Sequence, residues 1–497
     1  MAHAFVLGML GFPLGGVAWL LFGGRRLSAY EVNRIALAAG ALVVICALGL
    51  VSFMLLPTTP SSFEVLELEW LPGTGAMHLH VDARTLLILI AVSLALTLVL
   101  SAEPTAEKQA VADDEAWRPP LQKSLVLLAL TATQVAVLSS SFLSRYLALE
   151  IVGLCIGLAP LIAFQDGFRR AGRVYLVLRV GDAGLLIAIL MLMQLTGILD
   201  ITSSLAAAPM LAPSQRAWIA GAFVLAVWVK VGAWPMHIWL RDAEGLPFVS
   251  QVWLYAISMP LLGLYLLYRV VPLLQTVNPL SHVVAAAAGL ATLAALILAI
   301  VHRGRPQALM TYVWSATGGA ALCLGALGAQ PIVWVWVLAM PLFVAVSGRD
   351  ASAALVLAAV RMREAYEDTV SEPEEPAEGF FATAMRRFYR VVELEGVNDL
   401  MAAVLRTLGS LARSVQRFEH AALDAMVSVT VGALGFMTRL TQRVEHGALD
   451  GLIGASVGGT RLVARHVQRL HTGRLRLNLL WVVIGFLVAL FVLLSGS

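Results

Sequence analysis

Four ionisable residues stand in stretches that are otherwise soluble in lipid: Lys230 in "AVWVKVGAWPMHIWL" (226–240), Glu150 in "SRYLALEIVGLCIGL" (144–158), and Arg179 with Asp182 in "LRVGDAG" (178–184). A charge near the bilayer centre costs about 2.5–3.5 kcal/mol on insertion scales, so such residues face a protein interior or a wet cavity. The lysine is conspicuous by type. Of the 34 Lys and Arg residues only Lys108, Lys123 and Lys230 are lysines, and the first two flank an apolar run, at or beyond the membrane edge. A desolvated lysine is able to release its proton, whereas arginine stays charged, which makes Lys230 a candidate proton carrier. The competing reading is a lysine that snorkels or is paired structurally. Pro235 lacks the N–H that would engage the carbonyl of Val231, and with Gly232 it predicts a broken helix beside the amine. Glu150 needs a proton or a cation nearby. Arg179 and Asp182, three residues apart, share a helical face, so Glu150, Arg179, Asp182 and Lys230 could form one intramembrane network. Such ion pairs could also only lock helix packing; the two roles are compatible.

The elements that must position these residues are membrane helices. The 497 residues are 59% hydrophobic and 13% charged, with apolar runs near the roughly 20 residues that cross a bilayer. The spans fall near 4–23, 35–56, 85–102, 122–139, 142–164, 172–197, 217–240, 248–271, 280–301, 308–327, 331–347 and 478–495. Helices are the required form, because the backbone must satisfy itself in hydrocarbon. The fold class is therefore an all-α polytopic membrane protein of about 12 transmembrane helices. The first run has only His3 as a flanking group of possible charge and is read as a retained span rather than a cleaved signal. Arg25, Arg26 and Arg34, then Arg169, Arg170 and Arg173, then Arg303 and Arg305 follow spans 1, 5 and 9, all on one side by parity. By the positive-inside rule that side is cytoplasmic and the N-terminus is outside.

Other chemistries have little support. A net charge of +3, with arginines scattered between spans, excludes a nucleic-acid partner. Cys46, Cys155 and Cys323 lie within apolar spans without metal spacing. His78 and His80 have i,i+2 spacing but no further ligand close by, so no metal is expected. His237 reads either as a helix-end residue or as a relay member, and "VWVW" (333–336) as packing.

Beyond span 11 the texture changes. Residues 363–379 form an acidic linker, and 380–476 an Arg-rich region in which "QRFEHAALD" (416–424) returns as "QRVEHGALD" (442–450), carrying His420 and His446. At about 100° per residue, this repeat of 26 residues rotates successive units by roughly 80° in a straight helix. Kinks at glycines such as Gly432, Gly435, Gly458 and Gly459 would restore the phase. The region reads as amphipathic lateral helices along the cytoplasmic membrane surface or against neighbouring subunits, or as a solvated helix array. A last transmembrane helix occupies 477–497.

"LEIVGLC", "LVLRVGDAGLL" and "KVGAWPMHIWLRDA" resemble the signatures of the antiporter-like membrane subunits of respiratory complex I, of the distal and largest type, and of Mrp antiporters and membrane-bound hydrogenases. The tail stretch 468–494 loosely resembles the end of the distal subunit. The resemblance implies a proton-conducting half-channel with Glu150 and Lys230 at its core and Arg179 and Asp182 modulating the glutamate, and His237, near the break, is the candidate that would pass protons to the lysine. Where the family usually carries a histidine in span 8, this chain has Tyr255, a poorer proton acceptor. Between Ala308 and Ala359 there is neither Lys nor His, so the second half of the inverted repeat reads as truncated. The implied organisation is 1–121 for spans 1–3 and a loop, 122–271 for the half-channel, 272–362 for the truncated half, then the linker, lateral helices and last span.

These features imply a proton-conducting membrane subunit of a multi-subunit energy-coupling complex of NADH/quinone or hydrogenase type in a bacterial inner membrane, not catalytic alone and without a cofactor. Its partners would be other membrane subunits and a cytosolic module. One alternative is the membrane subunit of a proton-driven inorganic carbon uptake system with a cytosolic zinc partner. Another is an inactive scaffold paralogue.

Overall fold

The computed structural model describes residues 2–56, 62–68, 77–102, 118–165, 167–302 and 305–347. Among them ten helices are long and apolar enough to cross a membrane. In chain order they are α1 (Ala2–Gly23), α2 (Ala29–Met54), α3 (Ala83–Ser101), α4 (Arg118–Leu138), α5 (Phe142–Ala163), α6 (Gly167–Thr196), α10 (Met259–Gln275, preceded without a break by a π-helical segment, Ser250–Ser258), α11 (Asn278–Val301), α12 (Pro306–Ala326) and α13 (Gln330–Ser347). Between α6 and the π-helical segment come the short α7 (Ile201–Ala207), the apolar α8 (Pro213–Lys230) and the single turn α9 (Ile238–Arg241). The first eleven expected spans each find a helix. The linker 363–379, the lateral region 380–476 with His420 and His446, the last span, and Lys108 lie outside the described residues.

The boundaries differ from the hydropathy reading where capping and charge intervene. α2 begins before residue 35 because Ser28 closes a capping box: its hydroxyl accepts the Glu31 N–H at 3.3 Å, and the Glu31 carboxylate accepts the Ser28 N–H at 2.8 Å. α4 starts at Arg118, so Lys123 lies within the helix and is buried rather than at an exposed edge. α6 starts at Gly167 and takes Arg169, Arg170 and Arg173 into its first two turns. One connection between the helices is more than a plain loop. An antiparallel hairpin, β1 (Ser62–Leu68) with β2 (Met77–Asp82), joins α2 to α3, and its last residue, Asp82, caps α3 by accepting the Thr85 N–H at 2.7 Å.

Helices that are apolar on every side sit at the centre of a bundle. α4 fits that rule: Leu125, Val126, Leu127 and Leu128, set about 100° apart in turn around the helix, are all buried. It packs against α1, α5 and the π-helical segment. α6 lies along α8, and α10 contacts α8, α12, α4 and α5, so the elements carrying the four ionisable residues share one interior.

Candidate functional site

Lys230 is the last residue of α8, and its side chain is fully enclosed. The helix ends there for local reasons. Gly232 adopts φ +65°, where a Cβ would also meet Leu240 Cδ1 at 2.4 Å, and Pro235 offers no N–H. The chain resumes as α9 only at Ile238. Indole N–H groups satisfy part of the opened backbone: Trp239 donates to the Val229 carbonyl at 2.9 Å and Trp228 to the Trp234 carbonyl at 3.1 Å. On the far side, Gly318 of α12 comes so near that a Cβ there would stand 2.4 Å from the Val231 carbonyl oxygen. The lysine is thus fixed at a break that side chains and a neighbouring helix hold open.

The four ionisable residues meet in a linear chain. Lys230 Nζ donates to Asp182 Oδ1 at 2.5 Å, and Asp182 Oδ2 lies 3.0 Å from Arg179 Nη2. The other terminal nitrogen of Arg179 pairs with Glu150 of α5. Signs alternate along the chain, so it is neutral as a whole, and each buried charge has an opposite neighbour to offset its desolvation. Asp182 is the hinge, touching both cations. The sequence reading assigned Asp182 to the glutamate; in the structure it is the direct partner of the lysine, and Glu150 reaches Lys230 only through Arg179. The Arg179 guanidinium also lies 4.9 Å from the Tyr175 ring centre.

His237 is buried at the start of α9, its ring 5.2 Å from that of Tyr312, which in turn lies 5.0 Å from that of His302. Spacing along the chain gives no sign that His302, Tyr312 and His237 would stack. Tyr255 is fully enclosed and its hydroxyl donates to the Ile156 carbonyl at 2.8 Å. That carbonyl lies four residues before Pro160, which has no N–H to return, so the phenol completes the backbone bonding of α5. Its ring also packs on Trp239, with centroids 5.9 Å apart. The structure therefore engages Tyr255 in packing α5 against the π-helical segment.

A second element missed from sequence is the fork between Arg173 and Asp242, with Nε–Oδ2 2.8 Å and Nη2–Oδ1 2.5 Å, which ties α6 to the turn after the break. Burial pushes the Asp242 carboxyl above the usual carboxylate range, against the opposing pull of Arg173. In the hairpin, His78 Nδ1 lies 3.1 Å from Glu64 Oε2 across the strands. No group of three potential metal ligands occurs among the described residues.

Residues 139–330, which contain the whole chain of ion pairs, match the transmembrane domain model of the NADH:quinone oxidoreductase/Mrp antiporter family. A chloroplast NAD(P)H-quinone oxidoreductase subunit 5 from Zygnema circumcarinatum is 30% identical over 201 residues, covering 38% of this chain and 28% of the relative. NADH-quinone oxidoreductase subunit L from Rhodobacter capsulatus is 26% identical over 285 residues, covering 54% of this chain and 38% of the relative. The matched part is thus well under half the length of these relatives. In fold the chain is similar to a chain of the Mrp complex from Dietzia sp., with a TM-score of 0.57 at 19% identity, covering 69% of this chain and 37% of that one. It is also similar to a chain of an archaeal membrane-bound sulfane sulfur reductase, with a TM-score of 0.53 at 14% identity, covering 68% and 71%.

Proposed function

We propose, from the match of residues 139–330 to the NADH:quinone oxidoreductase/Mrp antiporter transmembrane model, that this chain conducts protons as an antiporter-like membrane subunit of a larger energy-coupling assembly. The half-channel is centred on Lys230 and Glu150. The observation that carries the reading is the fully enclosed ammonium of Lys230, held by Asp182 at a helix break. A purely structural cation would be served as well by arginine, the residue this chain uses almost everywhere else.

The mechanism follows from Arg179 being shared between two carboxylates. With Glu150 ionised, Arg179 is drawn toward it and Asp182 holds the lysine protonated. Protonation of Glu150 removes one claim on Arg179, which then neutralises Asp182 more fully and weakens its hold on the ammonium. Lys230 gives up its proton, and reprotonation comes through the opened backbone near Pro235 and His237. The cytoplasm supplies that proton, the N-terminus lies outside, and the membrane is the bacterial inner membrane. With neither Lys nor His between Ala308 and Ala359, the remaining path runs through partner membrane subunits, and a cytosolic module supplies the driving reaction. Inorganic carbon uptake would use the same half-channel with a cytosolic zinc protein as the partner, so co-purification separates the two assignments.

The test is proton transport by the intact assembly in membrane vesicles, with co-purification as the assembly control. Lys230→Leu is expected to abolish coupled transport and leave the assembly intact, and Lys230→Arg to fail equally because its charge cannot cycle. Normal coupled transport with leucine at this position would overturn the reading.

A further inference from the structure

At the end of the bundle where α5 passes into α6 and α9 into the π-helical segment, a cavity of about 520 Å³ is lined by Arg169, Arg170, Arg173, Arg241, Asp242 and Glu244. Four guanidiniums face two carboxyls, a surplus of two positive charges that arginine cannot relieve by deprotonation. Three of the four are engaged by neighbouring groups, Arg241 among them. Arg173 forks onto Asp242, while Arg170 lies 4.1 Å from the Phe164 ring centre and donates to the Glu244 carbonyl at 3.1 Å. Burial pushes the carboxyls of both Asp242 and Glu244 upward, against the opposing pull of the arginines around them.

The cavity lies at the level where helices end. α5 stops at Ala163, α6 starts at Gly167, and Gln307, which also lines the space, stands in the first turn of α12. Phe168 beside Arg169 is 83% exposed, an apolar ring left uncovered at that helix end. Guanidinium forks match phosphate oxygens in pairs, and basic pockets between membrane helices are a recurrent setting for anionic headgroups. The volume exceeds that of a small inorganic ion and leaves room for a phosphate with its glycerol.

We propose that this cavity binds a phosphate oxyanion, presented in the bilayer by the headgroup of an anionic phospholipid, with the exposed Arg169 as its principal ligand and the other lining arginines adding to the positive field. Such a ligand bridges α6, which carries Arg179 and Asp182, to α9, which follows the helix break. It would fasten together the two elements that the Arg173–Asp242 fork already joins. This assignment is independent of whether the domain conducts protons.

The experiment uses the full-length protein, delipidated in a neutral detergent, and follows its thermal unfolding and tryptophan fluorescence on titration. The probes are phosphatidylglycerol, phosphatidylcholine and inorganic phosphate, each added separately. Phosphatidylglycerol is expected to bind more tightly than phosphatidylcholine, with affinity falling roughly five-fold in Arg169→Gln and further in Arg169→Gln/Arg241→Gln. Arg169 is exposed, so the single variant retains the fold and keeps the test decisive if the double variant does not. Binding of phosphatidylglycerol without inorganic phosphate identifies the lipid as the source. Comparable binding of inorganic phosphate, with the same loss in the variants, keeps the oxyanion site but makes its source soluble. Equal binding of the two lipids, or native affinity in Arg169→Gln, would overturn the proposal.

Discussion

The chain of ion pairs predicts that Asp182, rather than Glu150, is the residue whose loss acts most directly on the lysine. Asp182→Asn keeps the side-chain shape and removes the one carboxylate that touches both cations. At the 2.5 Å separation of Nζ and Oδ1 and an effective dielectric near 20, the attraction is about 7 kcal/mol before any rehydration. Relaxation and water entry reduce that to the roughly 3–5 kcal/mol seen when one partner of a buried pair is deleted. That loss acts against the charged form of the buried amine. The carrier then lacks the carboxylate that holds its proton. Arg179 retains Glu150 as a partner, so Arg179 itself is not stranded. The assay is proton uptake into vesicles carrying the intact assembly, followed with a pH-sensitive dye, alongside quantified assembly. Asp182→Asn should reduce uptake at least ten-fold, Asp182→Glu should restore a part of it, and Glu150→Gln should be no more severe than Asp182→Asn. Near-normal uptake in Asp182→Asn, with Glu150→Gln inactive, would refute the order of the chain read from the geometry.

Three further outcomes follow from the same contacts. Tyr255→Phe leaves the Ile156 carbonyl without its donor and should cost about 1–3 kcal/mol in detergent unfolding while sparing transport; a transport defect with native stability would make the hydroxyl a relay. Gly318→Ala sets a methyl against the Val231 carbonyl and should lower stability by about 1–3 kcal/mol, with loss of transport as the break shifts. An unchanged protein would show that α12 does not brace the lysine. Asp242→Asn removes the charge and one of the two oxygens that accept from the Arg173 fork in a buried turn, and should loosen the segment after the break, read as faster amide exchange over 232–246 and a similar loss of stability.

Much of the fold was legible because hydrocarbon allows few solutions. Apolar runs had to be helices, and the pairing of Gly232 with Pro235 announced the break at Lys230. The same reasoning gathered Glu150, Arg179, Asp182 and Lys230 into one network, since charges in a membrane interior must find each other. Their order was not legible. Whether Asp182 leans to the glutamate or to the lysine depends on how α6 is rotated against α8, and a spacing of three residues does not fix that rotation. The boundaries near Lys123 and Arg169 were misplaced because hydropathy reads a charge as the end of a span, while the helix continues through it. The stacking of His302, Tyr312 and His237 joins the end of α11, α12 and the start of α9, a tertiary meeting without a local signature. The hairpin escaped notice because the loop that holds it was read only for its histidines.

The central claim is that the amine of Lys230 gains and loses a proton while enclosed. The protein contains only three lysines, so labelling lysine with nitrogen-15 gives three side-chain resonances, and Lys230→Arg identifies the one of interest. Solid-state nuclear magnetic resonance of the labelled chain, combined with unlabelled partners in lipid, then reports the charge on that nitrogen directly. The account predicts that the Lys230 signal moves between ammonium and neutral amine across the physiological pH range, and that Asp182→Asn shifts it toward the amine. A signal that remains ammonium throughout, in the native chain and in Asp182→Asn alike, would contradict it.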